Sequence, residues 1–468
     1  MTRQMKFLLC LLSGLQLAAM AQSDVKPLDW YRANCPFPMP AVDSPQIADK
    51  IFRLTDYGAT GDGKTLNTGA FQRAIAACSA AGGGRLIVPA GHWLTGPIEL
   101  RSHVDLHLEA GAMVLFTPDH NQYHSRGSNF QSPLYGQDLE DIAITGDGVF
   151  DGAGETWRPV KKSKQTQSQW RALLAQGGVL SDDGQIWWPS RETKDGQRPN
   201  MVSLVRCRHI LVAGVTIRNS PKFAFCPVDC TDLTMYRAHI FNDWWAQNGD
   251  GIDISACHRV VIYRCTINAG DDGICMKSSG SRPDGPALEN ILIAGDTVYR
   301  AHGGFVIGSN TDGGVQHVFV SDCTFAGTDI GMRMKSNKGR GGLVSNIYIQ
   351  NIGMRDIAHE AILFDTYYED MPAGAVKDPD KPRPADKVPE FRDFHISYVR
   401  CDGAQTAISI TGLPEQPVSD ILFDNLSIRA AKGVIAKQAR HIDLRNVQLD
   451  VSEKPVIRAD KTADIQVR

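Results

Sequence analysis

The sequence predicts an all-β protein built as a parallel β-solenoid, and three observations carry that reading. First, a short alternating pattern, apolar-x-apolar followed within a few residues by a second apolar pair, occurs ten times. It reads DIAITGDGVF from Asp141, HILVAGVTI from His209, DLTMYRAHI from Asp232, RVVIYRCTI from Arg259 and NILIAGDTV from Asn290. It continues as HVFVSDCTF from His317, NIYIQNIGM from Asn346, DFHISYVRC from Asp393, DILFDNLSI from Asp420 and HIDLRNVQL from His441. Second, the leading apolar positions (Ile142, Ile210, Leu233, Val260, Ile291, Val318, Ile347, Phe394, Ile421 and Ile442) lie 68, 23, 27, 31, 27, 29, 47, 27 and 21 residues apart. Third, the units are rich in Val, Ile, Phe and Tyr with Gly, Asn or Asp at their breaks, which is strand composition bounded by turns. Units this short cannot bury an apolar face alone, so successive coils must stack and pair each strand with its equivalent one coil later. β-Propeller blades need about 40 residues or more, and leucine-rich repeats would show a Leu/Asn framework that is missing here.

Composition agrees with this. The chain has 44 glycines in 468 residues, 42% hydrophobic and 22% charged, a globular, turn-rich balance that excludes disorder, collagen or coiled coil as the dominant state. Length alone would allow two to four domains at about 100–200 residues each. The repeat reduces that to a single β-helical domain over 22–468, with the long intervals marking loop insertions at about 155–200 and 366–389. Lys+Arg 49 against Asp+Glu 52 gives a net charge of −3, so no bulk basic field is available to hold nucleic acid or an anionic membrane. An acidic ligand must then be met by a few local cations.

At the N-terminus, Arg3 and Lys6 precede an apolar run from Phe7 to Ala19, and Ala19-Met20-Ala21 supplies small residues for cleavage. That is the pattern of a signal peptide over 1–21. With no later run near the ~20 apolar residues of a membrane span, the expectation is a soluble, exported protein of bacterial type, periplasmic or secreted. Phe71, Ile75 and Cys78 recur at helical spacing before Gly82 to Gly84, predicting a helix that caps the open strand edges of the first coil. The first insertion carries Trp157, Trp170, Trp187 and Trp188, with Trp244 and Trp245 beyond it. Some must pack the insertion, while others can stack on a sugar ring. Cys226 and Cys230 are close enough to pair, whereas Cys265, Cys323 and Cys401 fall at strand positions as small hydrophobes. No CxxC pairs recur with His at zinc spacing.

Acidic and glycine residues crowd into QNGDGIDIS and NAGDDGICMKSS. Asp250 precedes Asp271 by 21 residues, close to one coil, so the two can lie on strands ~4.8 Å apart. Asp272 joins them if the backbone bends, which Gly270 and Gly273 permit. Converging carboxylates raise the pKa of at least one, and an acid beside carboxylate bases is the equipment of glycoside hydrolysis. His302 follows one coil later and Arg333 and Lys335 one coil after that. Being two apart, Arg333 and Lys335 share a strand face on which an anionic sugar carboxylate can be met. Lys277 reads as structural.

At these residues the sequence resembles the polygalacturonases of glycoside hydrolase family 28. The family pattern of Asn-Thr-Asp, Gly-Asp-Asp, Gly-His-Gly and Arg-Ile-Lys stands here as Asn248-Gly249-Asp250, Gly270-Asp271-Asp272, Ala301-His302-Gly303 and Arg333-Met334-Lys335. The resemblance runs from about Leu54 to near the end of the chain. It implies a right-handed parallel β-helix and inverting hydrolysis of α-1,4-galacturonosidic bonds in pectin, with no metal or cofactor. By position, Asp271 would be the general acid, Asp250 and Asp272 would activate water, and His302 would hold the acid. Asn248, Gly303, Arg333, Lys335 and Tyr368 (or Tyr367) would contact substrate. Gly249, Ala301 and Met334 depart from the pattern without touching a working side chain. The two insertions suggest a groove walled at one end and hence exo action; the protein itself is expected to be a monomer. The rivals are a rhamnogalacturonan hydrolase of the same family, a Ca²⁺-dependent pectate lyase and a non-catalytic polysaccharide-binding β-helix.

Overall fold

Each of the ten repeats begins on a left-handed residue. Asp141, His209, Asp232, Arg259, Asn290, His317, Asn346, Asp393, Asp420 and His441 all have φ between 52° and 60°, a region that Asn, Asp and His tolerate best among residues with side chains. In the computed structural model, which describes residues 25–123, 130–195, 198–280, 282, 285–368 and 387–468, the apolar residue after each of them belongs to one parallel ladder. Ile142 pairs with Ile210, Ile210 with Leu233, and so on through Val260, Ile291, Val318, Ile347, Phe394, Ile421 and Ile442. The register read from the sequence is the register of the fold, a right-handed parallel β-helix.

Three faces wind around the core. The ladder face contains Glu140–Gly146, Arg208–Ala213, Thr231–Tyr236 and their successors. A short-strand face carries Val149–Asp151, Thr216–Arg218, His239–Phe241, Thr266–Asn268, Thr297–Tyr299 and Thr324–Ala326. The third face carries Val202–Val205, Phe225–Val228, Ile252–Ser255, Asp272–Lys277, Gly303–Ile307, Ile330–Lys335 and Glu360–Asp365. Inward residues from all three form one continuous apolar core. Coils before Ile142 and after Ile442 escaped the repeat, although Leu86 pairs with Leu106, Leu106 with Ile144 and Ile442 with Ile465. Their stretches GRLIVPAGHWL and DLHLEAGAMVLF carry the same succession of apolar pairs.

The predicted cap is the helix Thr68–Ala80, whose Phe71, Ile75 and Cys78 close the first coil's end of the core. The expected signal peptide and most of the second insertion lie outside the described residues. No helix among those described is long and apolar enough to cross a membrane. The first insertion, expected as a loop, has its own structure. It holds an antiparallel sheet of Val160–Lys161, Ile186–Trp188 and Val179–Leu180, and a helix Gln167–Ala175 closed by a capping box between Thr166 and Gln169. Val160, Trp170 and Trp187 form its small core.

Cysteines sit in columns rather than bridges, and Cys226 and Cys230 are both free. The backbone N–H of Cys207 points at Cys230 Sγ, and that of Cys230 at Cys257 Sγ, each at 3.4 Å. In a second column Asp296 stands between Cys265 and Cys323, because Thr266, Thr297 and Thr324 after them are register partners. Asp296 is buried, Oδ1 accepts from Cys265 N at 2.6 Å, and Oδ2 has no partner among the described residues.

Burial pushes the Asp296 carboxyl up to about 8. The folded chain therefore keeps a proton there that the unfolded chain releases near pH ~4. The resulting stability is complete below that pH and is lost as pH rises through about 8, at up to about 1.4 kcal/mol per pH unit. Relative to wild type, Asp296→Asn should show a flatter melting temperature between pH 5 and 8 in thermal scans. Parallel curves for the two proteins would contradict this assignment.

Candidate active site

All the acidic residues of interest sit at one edge, where the short-strand face turns into the third face. Asp250 and Asp272 occupy equivalent places on neighbouring coils, each two residues before the paired Ile252 and Ile274, so their side chains leave the same outer surface one strand spacing apart. Asp271 lies in the turn just before the strand Asp272–Lys277, which is how two consecutive carboxylates reach one site. The backbone bends at Gly270 and Asp271, as expected, with neither Gly270 nor Gly273 at positive φ. Glycines here also allow close approach. A Cβ at Gly251, Gly273, Gly304 or Gly331 would lie 2.6, 2.6, 2.4 or 2.2 Å from Ile267, Val298, Phe325 or Met354. This glycine column seats the floor of the site directly on the core.

One coil further, His302 stacks on Asp271, its N–H donating to the Asp271 carbonyl at 2.7 Å and Nδ1 lying 2.9 Å from Asp271 Oδ1. Arg333 and Lys335 extend over Asp272, with Lys335 Nζ 2.6 Å from Oδ2 and Arg333 Nη1 3.2 Å from Oδ1. Gly303 makes this possible, because a Cβ there would stand 3.3 Å from Arg333 Cβ. The ring of Tyr368, rather than Tyr367, lies under both cations, 5.2 Å from Arg333 and 4.8 Å from Lys335. Arg333 Nε has no partner among the described residues.

Burial would raise the carboxyls of Asp271 and Asp272, but their counter-charges win. The bond to His302, with Lys335 and Arg333, holds Asp271 below the usual carboxylate range, and the same two cations hold Asp272 low. Asp250 goes the other way. Burial first, then the charge of Asp253, pushes it well above that range, and Lys277 only partly offsets them. The crowding expected from the sequence therefore places the retained proton on Asp250. Lys277 was expected to be merely structural. It bridges Asp253 Oδ2 at 2.6 Å and Asp250 Oδ2 at 3.3 Å, and the Asp250 Oδ1 left over is buried and unpartnered among the described residues.

The first insertion leaves the helix between Val149–Asp151 and Val202–Val205, the same turn that bears the acids one and more coils later. It therefore forms a wall of the site. Arg198 Nη2 donates to Asn248 Oδ1 at 2.8 Å, and its Nη1 donates to the carbonyls of Pro221 and Gln247. Lys164 Nζ reaches within 3.3 Å of His302 Nε2. Sequence reasoning missed both, because nothing in their spacing ties an insertion to coils 50 and 138 residues later. Of the tryptophans, Trp157 is buried against His120, and Trp170, Trp187 and Trp245 pack the insertion. Trp188 faces Arg198, and Trp244, 49% exposed beside Lys164, is the one open to a sugar ring.

Oxygens of Asp250, Asp271 and Asp272 lie within 4.8 Å of one another, a spacing that could also hold a metal ion. Lys335 and Arg333 on Asp272 and Lys277 on Asp250 would oppose a divalent cation there.

Comparison with known proteins agrees with this fold. Residues 167–449 match the family model described as Glycosyl hydrolases family 28. A probable polygalacturonase of Vitis vinifera is 29% identical over 81% of this chain and 74% of its own length. An exo-poly-alpha-D-galacturonosidase of Dickeya chrysanthemi is 28% identical over 81% and 67%. The crystal structure of an exopolygalacturonase from Thermotoga maritima superposes with a TM-score of 0.73 at 30% identity, covering 87% of this chain and 94% of that one.

Removing one partner of a buried ion pair typically costs about 3–5 kcal/mol, because the other charge is stranded. Lys277→Met should lower the unfolding free energy by that order in urea melts, and adding Asp253→Asn should restore part of it. A loss under ~1 kcal/mol would mean that Lys277 does not balance this pair.

Proposed function

The chain belongs to glycosyl hydrolases family 28, and from that membership we propose that this glycoside hydrolase cleaves the α-1,4-galacturonosidic bonds of pectin, exo-acting and with inversion. The observation that carries the reading is the pairing of a three-carboxylate cluster with a half-buried guanidinium. Three acidic oxygens lie within 4.8 Å of each other, and beside them Arg333 keeps an unpartnered Nε–H. That donor suits a galacturonate carboxylate, which Arg can bind in a directed way.

In this reading Asp271 protonates the glycosidic oxygen while Asp272 deprotonates water and Asp250, which keeps its own proton, helps to orient that water. Asp272, held ionised by Lys335 and Arg333, is the ready base. Asp250 presents an unpartnered oxygen to the water. Asp271 needs a proton that its cationic neighbours disfavour in the free site. A galacturonate carboxylate on Arg333 and Lys335 cancels that positive charge, so substrate binding itself returns the proton affinity the acid requires. The acidic oxygens stand closer than the ~6.5–9.5 Å usual between the carboxyls of inverting enzymes; inversion is proposed from family membership. Exo action is supported by the insertion walling the site near Asn248 and His302, and by the names of the Dickeya and Thermotoga relatives. The proposal includes a single domain over 22–468, export directed by residues 1–21, and action as a monomer.

Polygalacturonate digestion should yield one small product from the start, with the chain length of the remainder falling slowly. Early mixed oligomers would refute exo action, and turnover of rhamnogalacturonan oligosaccharides alone would refute the substrate. Proton NMR of the first turnovers should show the β-anomer. Asp271→Asn should reduce kcat by about 10²–10⁴-fold, the usual contribution of general acid catalysis; a loss under about tenfold would remove Asp271 from that role. EDTA should leave the rate unchanged, whereas EDTA inhibition with an unsaturated product would identify a lyase.

A further inference from the structure

We propose that Lys164, carried by the insertion, is a positioning residue that fixes the tautomer of His302 and thereby keeps Asp271 able to hold its proton; the inference rests on Asp271 being the acid. Lys164 is held firmly. It ends the short turn Lys162–Lys164, two residues before the Thr166 cap of the helix Gln167–Ala175. Its Nζ lies 3.3 Å from His302 Nε2 and 3.4 Å from the Trp244 carbonyl, with the Trp244 ring 5.6 Å away.

An ammonium group has hydrogens to donate and no lone pair to offer. The nitrogen it approaches must therefore accept, so His302 Nε2 carries the lone pair and the ring proton sits on Nδ1. That Nδ1–H is the group donated to Asp271 Oδ1 at 2.9 Å. In this state Asp271 faces a neutral ring rather than an imidazolium, and the positive charge sits beyond that ring on Lys164, further from the carboxylate. The alternative state is also built into the site. Asp329 Oδ2 stands 3.7 Å from the same Nε2, and without Lys164 it would draw a second proton onto the ring. Lys164 and Asp329 thus compete for one nitrogen. The other charges facing this pair are Asp272 and Asp250 beside Asp271, Arg333 and Lys335 on the later coil, and Lys161 within the insertion. Burial pulls the Lys164 ammonium below its ordinary range, with Asp271 and Asp329 opposing that and Lys161 reinforcing it.

The test is the pH profile of kcat/KM on polygalacturonate for wild type, Lys164→Met, Lys164→Arg and Lys164→Met/Asp329→Asn. Deprotonation of the acid sets the high-pH limb. Lys164→Met should move that limb down by about one pH unit and lower kcat near neutrality about tenfold, with KM little changed. Lys164→Arg should restore the limb, and adding Asp329→Asn should move it back up, since the carboxylate that recruits the second proton is then neutral. A rise in KM with unmoved limbs would make Lys164 a substrate contact, and unchanged kinetics would leave it a packing residue; either overturns the proposal. Asp271→Asn run alongside separates the failures. If Asp271→Asn is inactive while the limb does not move in Lys164→Met, only this inference falls. If Asp271→Asn stays active, the assignment of the acid falls with it.

Discussion

Parallel stacking at a fixed strand spacing is the constraint on which everything else in this molecule depends. Once each coil lies in register on the next, any residue type repeated at one coil position becomes a column of direct neighbours. The fold uses that rule for apolar contact at Ile142 through Ile442 and for close approach at the glycine column beneath the site. It uses it for charge where Asp250 stacks with Asp272 and Asp271 with His302. The left-handed residue opening each repeat keeps the register, and its side chain often bonds along its own column. His209 meets Asp141, and Arg259 grips Asp232 with two hydrogen bonds.

Stacking like charges is costly, and the site shows how the cost is met. Two counter-charge systems divide the acids. Lys277 serves Asp250 and Asp253 on the earlier coils, while Lys335, Arg333 and His302 serve Asp272 and Asp271 on the later ones. The division is unequal. One cation against two buried carboxylates leaves a group that keeps its proton, and two cations on one carboxylate leave a group that stays ionised. That asymmetry between Asp250 and Asp272 arises from where each lysine stands, and it leaves Asp272 as the ready base.

Much of this was legible in the sequence because a solenoid converts sequence spacing into distance. Ten leading apolar residues gave the register directly, and the capping helix followed from Phe71, Ile75 and Cys78. The acids, His302, Arg333, Lys335 and Tyr368 meet in space because they recur at coil intervals. What the sequence concealed lies off that rule. Lys277 reaches sideways and back to Asp253 and Asp250. Lys164 and Arg198 arrive from an insertion whose internal fold, with its own helix, sheet and tryptophan core, obeys no repeat. The bend at Gly270 is local turn chemistry and visible in the sequence, whereas the close approach of Gly273 to Val298 on the next coil is not.

The cysteine columns carry a consequence for the chain's thiol chemistry. Contact with Cys230, then burial, holds the Cys207 thiol above its ordinary range, and burial first, then neighbouring carboxylates, does so for Cys265, Cys275 and Cys323. A thiol that stays protonated is a poor nucleophile in disulfide exchange. Among the described cysteines the stacked coils therefore rest on no disulfide, and the same burial that packs the thiols into the core also withholds them from exchange.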